Sequence, residues 1–247
     1  MIRRTWLQMG MPVTVCIRDE ESGEQDVSAV ASWFENVNQR FSTYLESSEV
    51  SRLNAGVITR NDVSSQLEDV LLLCEQTNVE TGGYFDVVRD GRIDPSGLVK
   101  GWAIEKASAL LSARGFANHF VDVGGDVQAV GLNSYGQPWR VGIRNPFNRD
   151  ELVKVLAISD QGVATSGTTI RGQHIYNPLQ HGLPLTEIVS LTVIGPSIYE
   201  ADRLATAAFA MGRDGLSFIA ERPNLEGYAI AADGMAEYTP GFDHYVR

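Results

Sequence analysis

Phe120-Val121-Asp122-Val123-Gly124-Gly125-Asp126-Val127-Gln128-Ala129-Val130 reads as a strand, a glycine turn and a second strand. Paired glycines accept positive φ, so a hairpin of the Gly-Gly type is expected here. The segment after the glycines decides the fold class. A dinucleotide-binding βαβ unit needs a helix directly after its glycine-rich turn, and an apolar strand takes that place. Outward from this hairpin the chain is asymmetric. On its N-terminal side, Asp26 can cap a helix whose apolar positions Val27, Val30, Phe34, Val37 and Phe41 keep helical spacing, closed by Phe41-Ser42-Thr43-Tyr44. A second helix is expected over 65–81, with Leu67, Val70, Leu71 and Cys74 inward and Gly82-Gly83 as its stop. A third is expected over 98–114, ended by Gly115. Residues 6–17 read as two short strands or one bent strand about Met9-Gly10-Met11-Pro12, and 84–88 as a short strand. On the C-terminal side, strand signals recur at 139–143, 153–158, 163–165, 188–193 and 228–232, broken by helical stretches at 198–211 and 216–220. This order predicts an α+β fold, a mixed or antiparallel sheet with packed helices, rather than a doubly wound parallel sheet. One domain over 1–247 is expected, with a possible sub-boundary near 117.

The chain has 247 residues, 43% of them hydrophobic, which is enough for a substantial core. Its net charge of −11 argues against nucleic acid as a partner, because phosphate backbones attract basic surfaces. No apolar run approaches the roughly 20 residues of a membrane-spanning helix. The N-terminus shows neither a signal-peptide core nor a lipidation cysteine, so a cytoplasmic protein without membrane insertion is expected. The two cysteines, Cys16 and Cys74, have no metal-ligand spacing and read as buried thiols.

Two stretches carry the chemistry. Asp94-Pro95-Ser96-Gly97-Leu98-Val99-Lys100-Gly101 places a carboxylate, a turn and a lysine at the threshold of a helix. About a hundred residues on, Glu200-Ala201-Asp202-Arg203-Leu204-Ala205-Thr206 sets an aspartate and a threonine hydroxyl four apart, hence on one helix face. Magnesium takes oxygen ligands, often one or two from protein and the rest from phosphate and water. Asp202, Thr206 and the Gly97 carbonyl suit that preference, and Lys100 suits a phosphate or a neighbouring carboxylate. Each stretch also has an ordinary structural reading: a capped helix start, and a polar i,i+4 pair. Ala164-Thr165-Ser166-Gly167-Thr168-Thr169-Ile170-Arg171-Gly172-Gln173-His174 gathers hydroxyls, an arginine and a titratable imidazole in one loop, the donors that a pyrophosphate needs, or merely a polar hairpin. The aromatics of 41–45 and 84–86 can stack a flavin or adenine ring or cap a core.

Taken in order, these segments resemble one family, the FAD:protein FMN transferases of the ApbE type, formerly called thiamine-biosynthesis lipoproteins. The resemblance runs through Met9-Gly10-Met11-Pro12, Phe41-Ser42-Thr43-Tyr44 with Ser48-Glu49-Val50-Ser51-Arg52-Leu53-Asn54, Gly83-Tyr84-Phe85-Asp86 and the Asp94 stretch. It continues through Val123-Gly124-Gly125-Asp126, Ala164-Thr165-Ser166-Gly167, His174-Ile175-Tyr176-Asn177-Pro178 and the Asp202 stretch. It implies an ApbE-like (T-fold-like) architecture and transfer of FMN from FAD onto a serine or threonine hydroxyl of an acceptor protein, with release of AMP and help from Mg2+. It further implies that Gly97, Asp202, Thr206 and the Ala205 carbonyl hold the metal. Met9, Tyr44, Tyr84, Phe85, Asp86, Asp94, Lys100 and Tyr176 would line the FAD site, and His174 would assist proton transfer alongside Asp202 at the metal.

The chain departs from the family pattern in places. Only seven residues, 87–93, separate Asp86 from Asp94 where many members carry a long insertion. Asn177 and Thr168 stand where the pattern has acidic residues, which lowers the negative charge expected near the metal. The same residues would also serve an FAD pyrophosphatase giving free FMN and AMP, or a non-catalytic FAD-binding protein.

Overall fold

The computed structural model describes residues 1–148, 150–168, 175–180 and 185–247. The chain opens with strands β1 (Ile2–Gln8) and β2 (Met11–Ile17), then helices α1 (Glu24–Phe41), α2 (Glu49–Asn54) and α3 (Ser65–Glu80). A small hairpin, β3 (Val88–Arg89) and β4 (Arg92–Ile93), leads into α4 (Ser96–Ala113). Strands β5 (His119–Val123), β6 (Asp126–Val130), β7 (Trp139–Arg144), β8 (Leu152–Ile158), β9 (Gly162–Gly167) and β10 (Ile188–Gly195) come next. Helices α5 (Ile198–Ala210) and α6 (Asp214–Ala220) precede β11 (Glu226–Ala231) and β12 (Ala236–Tyr238).

Eight strands form one sheet in the order β1-β2-β5-β6-β9-β10-β11-β12, and every neighbouring pair is antiparallel. The expected α+β class is what the structure shows. The sheet crosses residue 117 without a break, because β2 pairs with β5 in the register Val13↔Val123 to Ile17↔His119.

Period-2 alternation gives the sheet two apolar faces. Val13, Val15, Ile17, Val121, Val123, Leu191 and Val193 join Phe34, Leu67, Leu98, Ile104, Leu111, Leu204 and Phe209 in a core beneath the helices. Cys16, Ala129, Val163, Ile194, Tyr228 and Ile230 face the other way, onto Trp139, Ile143, Leu156, Ile158 and Phe242. The β7–β8 hairpin therefore forms a second layer, paired separately from the main sheet. Helix α4 lies against both α1 and α5 and is buried on nearly every side, which is why its sequence shows little amphipathic contrast. Both cysteines are free and buried.

Local differences from the sequence expectations have plain causes. Asp26 is the third residue of α1 rather than its cap. Gly23 takes the cap position, and the Gly23 amide donates to Asp26 Oδ2 at 2.9 Å while Arg114 Nε donates to Oδ1 at 2.8 Å. The Gly23 amide bond, aided by Arg114, holds the Asp26 carboxyl below the usual carboxylate range. A depressed carboxyl stabilises the fold above its ordinary value and loses that contribution as pH falls through the depressed one. Asp26→Ala is therefore expected to lower Tm at pH 7 by a few degrees, about 1 kcal/mol of capping. Thermal melts of the two proteins should converge as pH drops below about 3.8.

The expected strand at 84–88 is a loop, and only Val88–Arg89 is extended. The seven residues 87–93 close as a tight hairpin because Asp90 and Gly91 both adopt positive φ, 51° and 74°, as a two-residue primed turn requires. Helix α2 and the edge strand β12 are too short to show a period and were not expected from the sequence.

Candidate functional site

One end of the sheet opens into a cavity of about 640 Å³. Its walls are the β1–β2 turn and the start of β2 (Gly10, Met11, Pro12), the Gly124-Gly125 turn, the ends of β9 and β10, and the first turn of α4. Arg144, Asn145 and Pro146 from the end of β7 and just beyond it form another wall. The Gly-Gly turn is the hairpin expected from sequence: Val123 pairs with Asp126 across it, and the glycines take φ of 65° and 103°.

Helices α4 and α5 meet at this end, and their contact is unusually close. The Gly101 amide donates to Asp202 Oδ2 at 2.7 Å. A Cβ at residue 101 would fall 2.6 Å from Asp202 Cβ and 2.7 Å from the Ile198 carbonyl, so only glycine fits. One turn earlier, the Thr206 hydroxyl donates to the Gly97 carbonyl at 3.2 Å. The N-terminus of α5 is fixed from two sides. Ser197 Oγ accepts from the Glu200 amide at 3.3 Å, and Gln128 Oε1 accepts from the Ile198 amide at 2.7 Å. Two stretches a hundred residues apart are thus pinned against each other by helix capping and a glycine contact.

Lys100 Nζ lies 3.1 Å from Asp202 Oδ1 and also forms an ion pair with Asp126 Oδ2. Asp126 in turn accepts the Thr165 amide through Oδ1 at 3.0 Å, and Thr165 Oγ1 bonds Thr192 Oγ1 at 2.8 Å. Asp202 is 2% exposed and Asp126 4%. Burial pushes the Asp202 carboxyl well above its ordinary value; Lys100 opposes the shift and Asp126 adds to it. Burial likewise raises Asp122, which faces the cavity near Arg144 and accepts the Gly125 amide at 2.8 Å.

Of the residues singled out in the sequence, Gly97, Lys100, Asp202, Thr206, Tyr84, Phe85, Asp86, Asp94 and Tyr176 line the cavity. Asp94 Oδ1 accepts the Ser96 amide at 3.0 Å and braces the entry to α4, while Asp86 Oδ1 accepts the Val88 amide at 2.8 Å and braces the start of the β3–β4 hairpin. The Arg89 guanidinium lies over the Tyr176 ring at 4.6 Å, and the Tyr176 hydroxyl donates to the Val88 carbonyl at 3.3 Å. Three residues are not brought to the walls. Met9 sits in the β1–β2 turn with φ of 53° and packs on the core, Tyr44 is 95% exposed, and Ala205 is fully buried in α5. Asn177 turns away into its own loop, where its Oδ1 accepts the Leu179 amide at 2.9 Å. His174 and Arg171 lie outside the described residues.

Among the described residues no trio of His, Cys, Asp or Glu side chains converges to hold a metal. A cation here would take a mixed oxygen set: one Asp202 carboxylate, the Thr206 hydroxyl and the Gly97 carbonyl. That set is hard and small in number, which fits magnesium completed by phosphate and water rather than calcium or zinc. Nothing in the sequence singles out Asp122, Arg144 or the Asn145-Pro146 pair, and Asp126 stands out only within a glycine turn that is also a family segment. A buried strand acid beside a lysine-bearing helix start was the available signal for Asp126; the β7–β8 residues gave none.

A model of the ApbE family matches residues 9–90 and 87–229. The chain is 32% identical over 158 residues to the FAD:protein FMN transferase of Vibrio cholerae, a match taking in 59% of this chain and 47% of that protein. It is 32% identical over 152 residues to the FAD:protein FMN transferase of Escherichia coli K12, covering 58% and 43%. The chain spans about half the length of the curated relatives it matches. The solved flavin transferase ApbE of V. cholerae superposes with a TM-score of 0.84 at 24% identity, over 99% of this chain and 98% of that one. The ApbE protein of Thermotoga maritima gives 0.87 at 21%, over 100% and 99%. These two likenesses show the fold.

Proposed function

This chain belongs to the ApbE family, and on that premise we propose that it transfers FMN from FAD to a serine or threonine hydroxyl of an acceptor protein, releasing AMP. The observation that carries the reading is the meeting of α4 and α5. It sets the Gly97 carbonyl, Thr206 hydroxyl and Asp202 carboxylate in the wall of a cavity large enough for a dinucleotide. The names of the relatives support it, and the family match takes in both helix starts.

In this proposal Asp202, Thr206 and the Gly97 carbonyl hold Mg2+, with the Ala205 carbonyl as a further candidate. When bound, the ion would offset charge on the bridging phosphates, which are otherwise poor electrophiles. The chain's own groups then do the positioning. The positive end of the α4 dipole favours anionic oxygens, as helix N-termini do. Tyr84, Phe85 and Tyr176, with Asp86 and Asp94 bracing the loop, give one wall for the flavin or adenine ring; Lys100 faces the phosphates. The acceptor hydroxyl oxygen attacks the FMN phosphorus, the bond to the AMP oxygen breaks, and His174 takes the hydroxyl proton. Met9 and Tyr44 remain candidates for FAD contact only through movement of their turns. A cytoplasmic setting belongs to the same proposal, and cell fractionation checks it.

The test is direct. The chain is incubated with FAD, Mg2+ and a candidate acceptor, and products are followed by chromatography and intact mass. Acceptor mass rising by one FMN less one water, with equimolar AMP, is expected. FMN and AMP appearing equally without acceptor would replace transfer by hydrolysis, and intact FAD after long incubation would remove the enzymatic reading.

A further inference from the structure

We infer that Asp126 is a positioning residue that keeps the Asp202 carboxylate available to a divalent cation by holding the ammonium of Lys100. The inference rests on the proposed cation site.

Three observations lead there. Asp126 reaches Lys100 from the sheet, while Asp202 reaches it from α5, so one ammonium is shared between two carboxylates on opposite sides. Each carboxylate has its other oxygen fixed by a backbone amide: Thr165 for Asp126 at 3.0 Å and Gly101 for Asp202 at 2.7 Å. Neither acid can therefore swing away from the lysine, and both are buried. Burying charged groups in this way is costly, and apolar side chains of like volume commonly do as well for stability. A purely structural role is thus a weak account of a second buried acid.

The charge count supplies a stronger one. Lys100 and Asp202 alone would form a neutral pair, with the lysine occupying the oxygen that a cation needs. With Asp126 added, the cluster carries one net negative charge and the ammonium has a second anchor. A dication arriving at Asp202 then meets attraction rather than a closed ion pair, and turns the cluster positive, the sign that suits a pyrophosphate.

Binding of Mn2+ alone, without FAD, read by the loss of the free-ion electron paramagnetic resonance signal, tests this. Asp126→Asn keeps the size and the acceptor for Thr165 but removes the charge. It is expected to bind Mn2+ at least tenfold more weakly than wild type, with Tm unchanged or higher. Asp122→Asn removes a half-buried carboxylate from the same cavity that forms no ion pair with Lys100 among the described residues, and should stay within threefold. Lys100→Met should bind Mn2+ more tightly than wild type, which gives an independent check should Asp126→Asn fold poorly. Equal affinity in Asp126→Asn, an equal loss in Asp122→Asn, or weaker binding in Lys100→Met overturns the inference. Wild type binding Mn2+ and Asp202→Asn losing it, with Asp126→Asn unaffected, overturns the inference and leaves the cation site standing. Wild type with no Mn2+ binding, or binding that survives Asp202→Asn, overturns both.

Discussion

Asp202→Asn should lose turnover by roughly a thousandfold, about 4 kcal/mol of barrier, while melting at or above the wild-type temperature. The two halves of this expectation come from the same burial. Asp202 is nearly inaccessible and its carboxyl is raised above the ordinary range by burial, with Asp126 adding to the effect and Lys100 opposing it. A carboxyl raised in the fold stabilises fully only below its ordinary value near 3.8 and loses that contribution as pH rises through the raised one. At pH 7.5 the ionised side chain is therefore a cost to the metal-free protein. Asparagine avoids that cost, still accepts the Gly101 amide and leaves Lys100 paired with Asp126. Melts in EDTA should place the variant at or above wild type at pH 7.5, with the gap closing toward pH 4. A variant that loses both activity and several degrees would instead mark Asp202 as a structural residue.

Gly101→Ala should cost at least a hundredfold in turnover and a few degrees in Tm. In an ordinary helix interior this change helps by up to about 1 kcal/mol. Here the new Cβ would fall 2.6 Å from Asp202 Cβ and 2.7 Å from the Ile198 carbonyl, closer than real contacts allow. Overpacking of this kind costs about 1–3 kcal/mol, so the clash outweighs the propensity gain. The helices must part, and they carry Gly97 and Lys100 away from Asp202 and Thr206. A displacement near 1 Å can cost about a hundredfold in a positioned reaction. Steady-state kinetics and a melt on one preparation check both numbers. Wild-type turnover in this variant would show that the helix contact does not set the site.

The fold class and the helix contact were legible to different degrees, for physical reasons. Alternation and helical spacing are local, so α1, α3, α4 and the strands of the main sheet other than the short edge strand β12 can be read from them. The i,i+4 placement of Asp202 and Thr206 is equally local. Its meeting with Gly97 is not, and only the complementarity of the oxygen ligands and the shared family order of motifs suggested it. Gly101 carried the missing signal: a glycine inside a helix needs a packing reason, and Asp202 supplies it. The Asp126 side chain was hidden because a hairpin turn explains Gly-Gly-Asp completely at the sequence level. Its value comes from pairing opposite Val123, on the face toward α4, where Lys100 waits. The β7 and β8 strands could be read from their alternation, but not their place as a wall, since nothing local says that a hairpin will cover the second face of a sheet and reach the mouth of a cavity.

Crystals soaked in Mn2+, with anomalous diffraction recorded above the manganese edge, test the central claim most directly. The account predicts one anomalous peak within about 2.0–2.4 Å of the Gly97 carbonyl, the Thr206 hydroxyl and an Asp202 oxygen. A peak elsewhere in the cavity, or none where these three oxygens meet, would contradict it.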